Sequence, residues 1–126
     1  MAEYEFPFEK LEVWQEARRF VKQVYDVTKR FPGEEKFGLA NQLNRAVVSV
    51  ASNLAEGCSR VSLKDQAHFS QLAYSSLMEV ACQLTLASDV GFIQQERYDA
   101  LRSYIAKLTR KINALRTSQL ARGGRR

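Results

Sequence analysis

The chain has 126 residues and a formal net charge of +5, with 45% hydrophobic and 26% charged residues. That composition is ordinary for one globular domain with a real core. It contains no apolar run of about 18 residues that would span a bilayer, and its two cysteines are too few for a disulfide framework.

The N-terminus, Met1 to Phe8, is acidic and aromatic, the wrong chemistry for a secretory signal. A cytoplasmic chain with free thiols is expected. The first helix is predicted over about 8–30. Leu11, Trp14, Ala17, Val21, Val24, Tyr25 and Thr28 recur at steps of three and four, which makes one apolar face. Glu9, Glu12, Glu16, Arg18, Arg19, Lys22 and Lys29 cover much of the remainder. Phe31-Pro32-Gly33 ends it, because a residue before proline disfavours helical backbone.

A second helix is predicted over about 34–56, with Leu39, Leu43, Ala46, Val47, Val50 and Leu54 as its core stripe. Gly57 is the expected left-handed residue beyond its end. A polar stripe, Gln42, Arg45, Ser49, Asn53 and Glu56, follows the same spacing along one side. Arg45 is the sole charged residue between Asn41 and Ala55. If buried, its guanidinium needs a carboxylate or several carbonyls. Arg45 and Glu56 lie about 16 Å apart along a helix, too far to pair directly. Glu79 and Gln83 on the neighbouring antiparallel helix, in the same chain or in the next subunit, are the expected partners, so Arg45, Ser49, Asn53, Glu56, Glu79 and Gln83 read as a polar network fixing helix or subunit register.

Ser62-Leu63-Lys64-Asp65 resembles a capping box and opens a third helix over about 63–90, closed by Gly91. Phe69, Ala73, Leu77, Val80, Leu84 and Ala87 face inward. The back of this helix carries Leu72, Ser75, Cys82, Leu86 and Val90 where Lys and Glu are normal on a solvated surface. A helix that is neutral nearly all round must be covered on more than one side. We therefore expect Leu72, Leu86 and Val90 on the outer face of helices two and three to form a subunit interface, since contiguous apolar patches are uncommon on monomers.

The fourth helix is predicted over about 95–118. Tyr98, Leu101, Ile105, Leu108, Ile112 and Leu115 form an unbroken seam of the kind that lines a bundle. Residues 119–126, with Gly-Gly and three arginines, are expected to be a basic flexible tail. Short connections place successive helices antiparallel. The reading is all-α: an up-down-up-down four-helix bundle over 1–118, assembled into a homo-oligomeric ring.

Charge is divided unequally. Residues 1–93 hold 10 Lys+Arg and 12 Asp+Glu, or −2, whereas residues 94–126 hold 9 and 2, or +7. A basic terminal segment on a near-neutral body points to a polyanion, nucleic acid first. Lys107, Arg110, Lys111, Arg116, Arg122, Arg125 and Arg126 are the expected contacts. Helix four lacks the amide and aromatic pattern of a groove reader, so binding is expected to follow the phosphate backbone. The solitary histidine, His68, three residues after Asp65, cannot complete a zinc or di-iron site within one chain. No nucleophile turn or phosphate loop appears. No metal, cofactor or enzymatic activity is expected.

Three motifs together resemble a known family. Phe8-Glu9-Lys10-Leu11-Glu12-Val13-Trp14 is similar to its opening motif. The stretch from Arg45-Ala46 through Ser49-Val50 and Asn53-Leu54 to Ala55-Glu56-Gly57 resembles its R-A-x-x-S-I-x-x-N-I-A-E-G signature, with Val50 and Leu54 in place of isoleucines. Ser76-Leu77-Met78-Glu79 with Gln83-Leu84, and Gly91-Phe92-Ile93, are similar to its third-helix and turn motifs. The chain resembles, over roughly 6–117, the four-helix-bundle proteins named for 23S rRNA intervening sequences. The resemblance implies a small cytosolic bacterial protein, a five-fold ring (a homopentamer), and kinship with the accessory variability determinant of diversity-generating retroelements, which binds a reverse transcriptase and nucleic acid. The function expected is a non-enzymatic oligomeric bundle binding RNA or DNA. The alternative is an adaptor that docks a partner protein such as a polymerase.

Overall fold

The computed structural model describes residues 3–123. It contains four α-helices, α1 (Glu12–Thr28), α2 (Leu39–Cys58), α3 (Leu63–Asp89) and α4 (Gln95–Gly123), and short 3-10 turns at Pro7–Lys10 and Gly33–Glu35. No strand occurs among the described residues. Helix α1 packs on α2, α2 on α3, α3 on α4 and α4 on α1. Paired side chains show the opposed directions: Gln42 meets Gln83 and Ser49 meets Ser76 across α2 and α3, while Glu12 meets Lys111 and Asp26 meets Arg97 across α1 and α4.

Both early helices start later than their apolar spacing suggests. Pro7 opens a separate turn, and Leu11, extended at φ −81° and ψ 115°, breaks the chain before α1 begins at Glu12. Gly38, at φ −108° and ψ −119°, likewise delays α2 to Leu39. The Glu35 carboxylate then accepts the first free N–H of α2, from Leu39, at 3.1 Å. This meets one of the orphan donors that every helix start leaves.

The inward face of α1 is rotated from the expected stripe. Val13, Ala17, Phe20, Val24 and Val27 are buried, whereas Tyr25 is exposed and Trp14 and Val21 are half-buried. Phe20 is wholly enclosed and stacks on Tyr104 of α4 at 5.2 Å. In α2, Leu43, Ala46, Val47, Val50 and Leu54 fill the core as expected. So do Ala73, Leu77, Val80, Leu84 and Ala87 of α3 and Leu101, Ile105, Leu108 and Ile112 of α4.

Gly57 does not cap α2. It lies inside the helix, buried, and a Cβ there would stand 3.1 Å from the Phe69 Cβ. Its role is the close approach of α2 to α3 near their shared turn. Gly91 does behave as expected: at φ +84° it reverses the chain after α3, in a conformation that costs glycine little. The N–H of Phe92 donates to the Ala87 carbonyl at 2.9 Å and that of Gly91 to the Ser88 carbonyl at 3.0 Å, the double closure of a Schellman end. Ser62 caps α3 by accepting from the Asp65 N–H at 3.0 Å.

The structure corrects the expected flexible tail at 119–126 over its first five residues. Helix α4 continues through Gly123 because Gln119 is buried and accepts the Ser70 hydroxyl proton at 2.7 Å. Gly123 then sits against Leu63, its Cβ direction 3.3 Å from the Leu63 Cβ. At 29 residues α4 is about 43 Å long, against about 25 Å for the 17-residue α1. Its last turns therefore pass beyond α1 and rest on the start of α3. Among the described residues no helix is long and apolar enough to cross a membrane.

Candidate nucleic-acid interface and polar network

The expected cationic residues of α4 fall into two groups. Lys107 and Lys111 are tied to α1. The Lys107 ammonium lies 3.1 Å from the buried Glu16 carboxylate and 5.5 Å from the centre of the Tyr104 ring. Lys111 pairs with Glu12. Both ammonium groups are thus engaged by α1 carboxylates in the folded chain, with the Lys107 side chain still exposed. Arg110, Arg116 and Arg122 make no ion pair among the described residues: Arg110 and Arg122 are exposed and Arg116 is half-buried. Their spacing of six residues turns successive side chains by about 120° around the helix axis. They surround the end of α4 rather than line one face of it. Arg125 and Arg126 lie outside the described residues.

Glu16 is the residue that sequence reasoning missed. Expected on the solvated face, it is buried beneath α4, where Tyr104 donates its hydroxyl to the carboxylate at 3.0 Å and Arg19 stands 3.5 Å away. The Lys107 hydrogen bond is the main cause that holds its pKa below the usual glutamate range. Burial opposes that shift, and the Tyr104 hydrogen bond adds to it. The Tyr104 hydroxyl is correspondingly pushed up, first by burial and then by the carboxylate beside it. The signal was present in the sequence: Glu16 is four residues before Phe20, and a stripe drawn through Phe20 rather than Trp14 carries Glu16 toward α4. Farther along the seam, Asp26 takes Arg97 at 3.1 Å, so Arg97 is also engaged. Arg102 donates to the Tyr98 hydroxyl at 2.9 Å.

The polar stripe of α2 forms only part of the expected network. The Ser49 and Ser76 hydroxyls meet at 2.8 Å across α2 and α3, and the Asn53 amide donates to the Ser49 carbonyl and hydroxyl at 2.9 and 3.0 Å. The Gln83 amide donates at the long distances of 3.4 Å to Gln42 and 3.5 Å to Glu79. Its own carbonyl oxygen is buried with no partner among the described residues. Arg45, Glu56 and Glu79 are exposed, and none makes an ion pair there. The expected buried ion pair at Arg45 is therefore absent within the chain. The polar ties between α2 and α3 are made by small hydroxyl and amide groups, beside the apolar core the two helices share.

Of the expected interface residues, Leu86 and Val90 are exposed at 50% and 61%, while Leu72 is half-buried. His68 and Asp65 are exposed; the His68 ring meets Phe69 edge to face at 5.6 Å. Cys58, half-buried, has its thiol pKa raised by burial, which disfavours the reactive thiolate.

The family model described as 23S rRNA-intervening sequence protein matches residues 9–114. No curated protein matches the chain. Among solved structures, the chain is similar to a protein of unknown function from the S23 ribosomal protein family of Bacteroides thetaiotaomicron VPI-5482, determined at 1.70 Å. The TM-score is 0.76 at 17% identity, covering 82% of this chain and 96% of that one. At that identity the likeness shows the shared bundle fold.

Proposed function

The chain belongs to the 23S rRNA-intervening sequence protein family, and from that membership we propose a non-enzymatic, self-associating bundle that binds the backbone of RNA or DNA through the end of α4. The observation carrying this reading is the overhang of α4. It passes beyond α1 and bears Arg116 and Arg122, with Arg110 level with the first turn of α1; none of the three has a carboxylate partner among the described residues. Arginines arranged around a helix end suit phosphates approached from several directions, and do not suit a groove reader that needs one face. Repeating this end in a homo-oligomeric ring, a pentamer by the family resemblance, multiplies the phosphate contacts.

Fluorescence anisotropy with a labelled 30-base-pair DNA duplex and an RNA of equal length, titrated at several salt concentrations, tests the reading. Affinity should fall linearly with salt on logarithmic axes, by about 0.9 in slope for each phosphate contacted on the duplex. The combined Arg110→Gln, Arg116→Gln and Arg122→Gln variant should lower that slope by up to about 3 per chain engaged. Dissociation constants weaker than about 100 μM at low salt, or a slope that the triple variant leaves unchanged, would contradict it.

A second reading, an adaptor for a partner protein, draws on a different observation. Leu86 and Val90 on α3, and Val48 on α2, remain exposed in the folded chain. Capture of a polypeptide that persists after nuclease digestion, by wild type and not by Leu86→Glu, would favour it over nucleic-acid binding.

A further inference from the structure

Two apolar features of opposite shape lie on different sides of the bundle. One is an open groove of about 420 Å³ along the α1–α2 seam, lined by Phe8, Trp14, Val21, Val48, Ala51 and Ala55. The small side chains of Ala51, Ser52 and Ala55 keep its floor low, which permits another helix to approach closely. The charged groups on its rim are Arg18 and Lys22. Neither makes an ion pair among the described residues, and the Arg18 guanidinium lies over Trp14 at 5.6 Å. The other feature is a ridge on α3: Cys82, Leu86 and Val90, spaced by four residues and exposed. Glu79 and Asp89 flank it, exposed and without an ion pair among the described residues, and α3 carries no cation after Lys64.

We propose that the α1–α2 groove receives the α3 ridge of a second copy of this chain. This rests on the self-association proposed above and adds which two surfaces meet. The dimensions agree. Residues 82–90 span about 12 Å of helix, and the groove from Trp14 to Val21 spans about 10 Å. The charges select the pairing. Ridge against ridge brings Glu79 and Asp89 toward their own copies, and groove against groove does the same with Arg18 and Lys22. Ridge in groove alone sets cations against carboxylates. A helix laid in an apolar groove with acids at its rim is a recurrent mode of recognition. Because the two faces differ, the contact is head to tail. Each added copy leaves one groove and one ridge open until a ring closes.

The test uses two full-length variants, each spoiling one face: Leu86→Glu for the ridge and Val48→Glu for the groove. Far-UV circular dichroism confirms folding; Val90→Glu and Ser52→Glu, also at exposed positions, replace either variant that fails to fold. Masses are measured by sedimentation at about 50 μM chain, after nuclease treatment. Each variant alone should sediment as a single copy. Mixed in equal amounts they should form a one-to-one species of twice the 14.4 kDa chain mass and grow no further, since the mixture retains one intact groove and one intact ridge per pair. If wild type assembles but the mixture stays as single copies, or either variant keeps the wild-type size, the groove–ridge pairing is overturned and self-association uses other surfaces. A wild-type chain that is itself a single copy overturns the self-association and this inference together.

Discussion

At the scale of single residues, Glu16 joins stability to charge. Its carboxylate is buried, accepts from Tyr104 and faces Lys107. Because its pKa is lowered on folding, its contribution is fully present above the ordinary glutamate pKa of about 4.3. That contribution is lost as pH falls through the lower folded value. The Glu16→Gln variant should therefore be less stable than wild type at pH 7. The gap should narrow as pH falls below about 4 and close only below the lowered folded pKa, where both side chains are neutral. Urea unfolding at a series of pH values checks this, and a gap independent of pH would show that Glu16 acts only by filling space. Arg45 is the opposite case. The spacing of the polar stripe is real, but an exposed arginine without a carboxylate carries no buried-pair energy. Uncharged neighbours in a sequence signal a neutral surface as readily as a buried one.

At the scale of elements, apolar periodicity revealed four helices and most of three core stripes, because Leu, Ile, Val and Ala at steps of three and four have few other uses. Their ends were less legible. Leu11 and Gly38 interrupt helices whose apolar spacing runs straight through them, so side-chain pattern cannot reveal a backbone break. The face of α1 was misjudged because Trp14 and Tyr25 outweigh Phe20 in bulk, yet an amphipathic ring sits comfortably at the margin of a core. The end of α4 was read as tail because its composition is polar. Its order comes from tertiary contacts, Gln119 with Ser70 and Gly123 against Leu63, that no local pattern announces. Gly57 was assigned to a chain reversal, although its use is proximity. That use is testable: Gly57→Leu should destabilise the fold by about 1–3 kcal/mol through overpacking against Phe69, read as a lower midpoint in thermal unfolding. A true cap with open space around it would tolerate the larger side chain far better.

At the scale of the whole molecule, the α1–α4 seam carries three ion pairs, Glu12 with Lys111, Glu16 with Lys107 and Asp26 with Arg97, beside the Phe20–Tyr104 stack. These pairs consume cations that the bare sequence offers to a partner. Of the cations on α4, Arg110, Arg116 and Arg122 in its second half keep no carboxylate partner among the described residues. Exposed apolar side chains lie on the outside of α3 and along the α1–α2 groove, away from the end of α4, where Leu120 is also exposed. Self-association and polyanion binding therefore call on separate parts of the bundle, so a variant of the α4 arginines can lose polyanion binding and keep assembly. The cationic end gains its strength from repetition, which makes assembly the premise of the functional reading. Native mass spectrometry of the nuclease-treated protein at about 10 μM chain tests that premise most directly. The account expects a discrete species at a whole multiple, above one, of the 14.4 kDa chain mass; a uniform population at that single mass would contradict it.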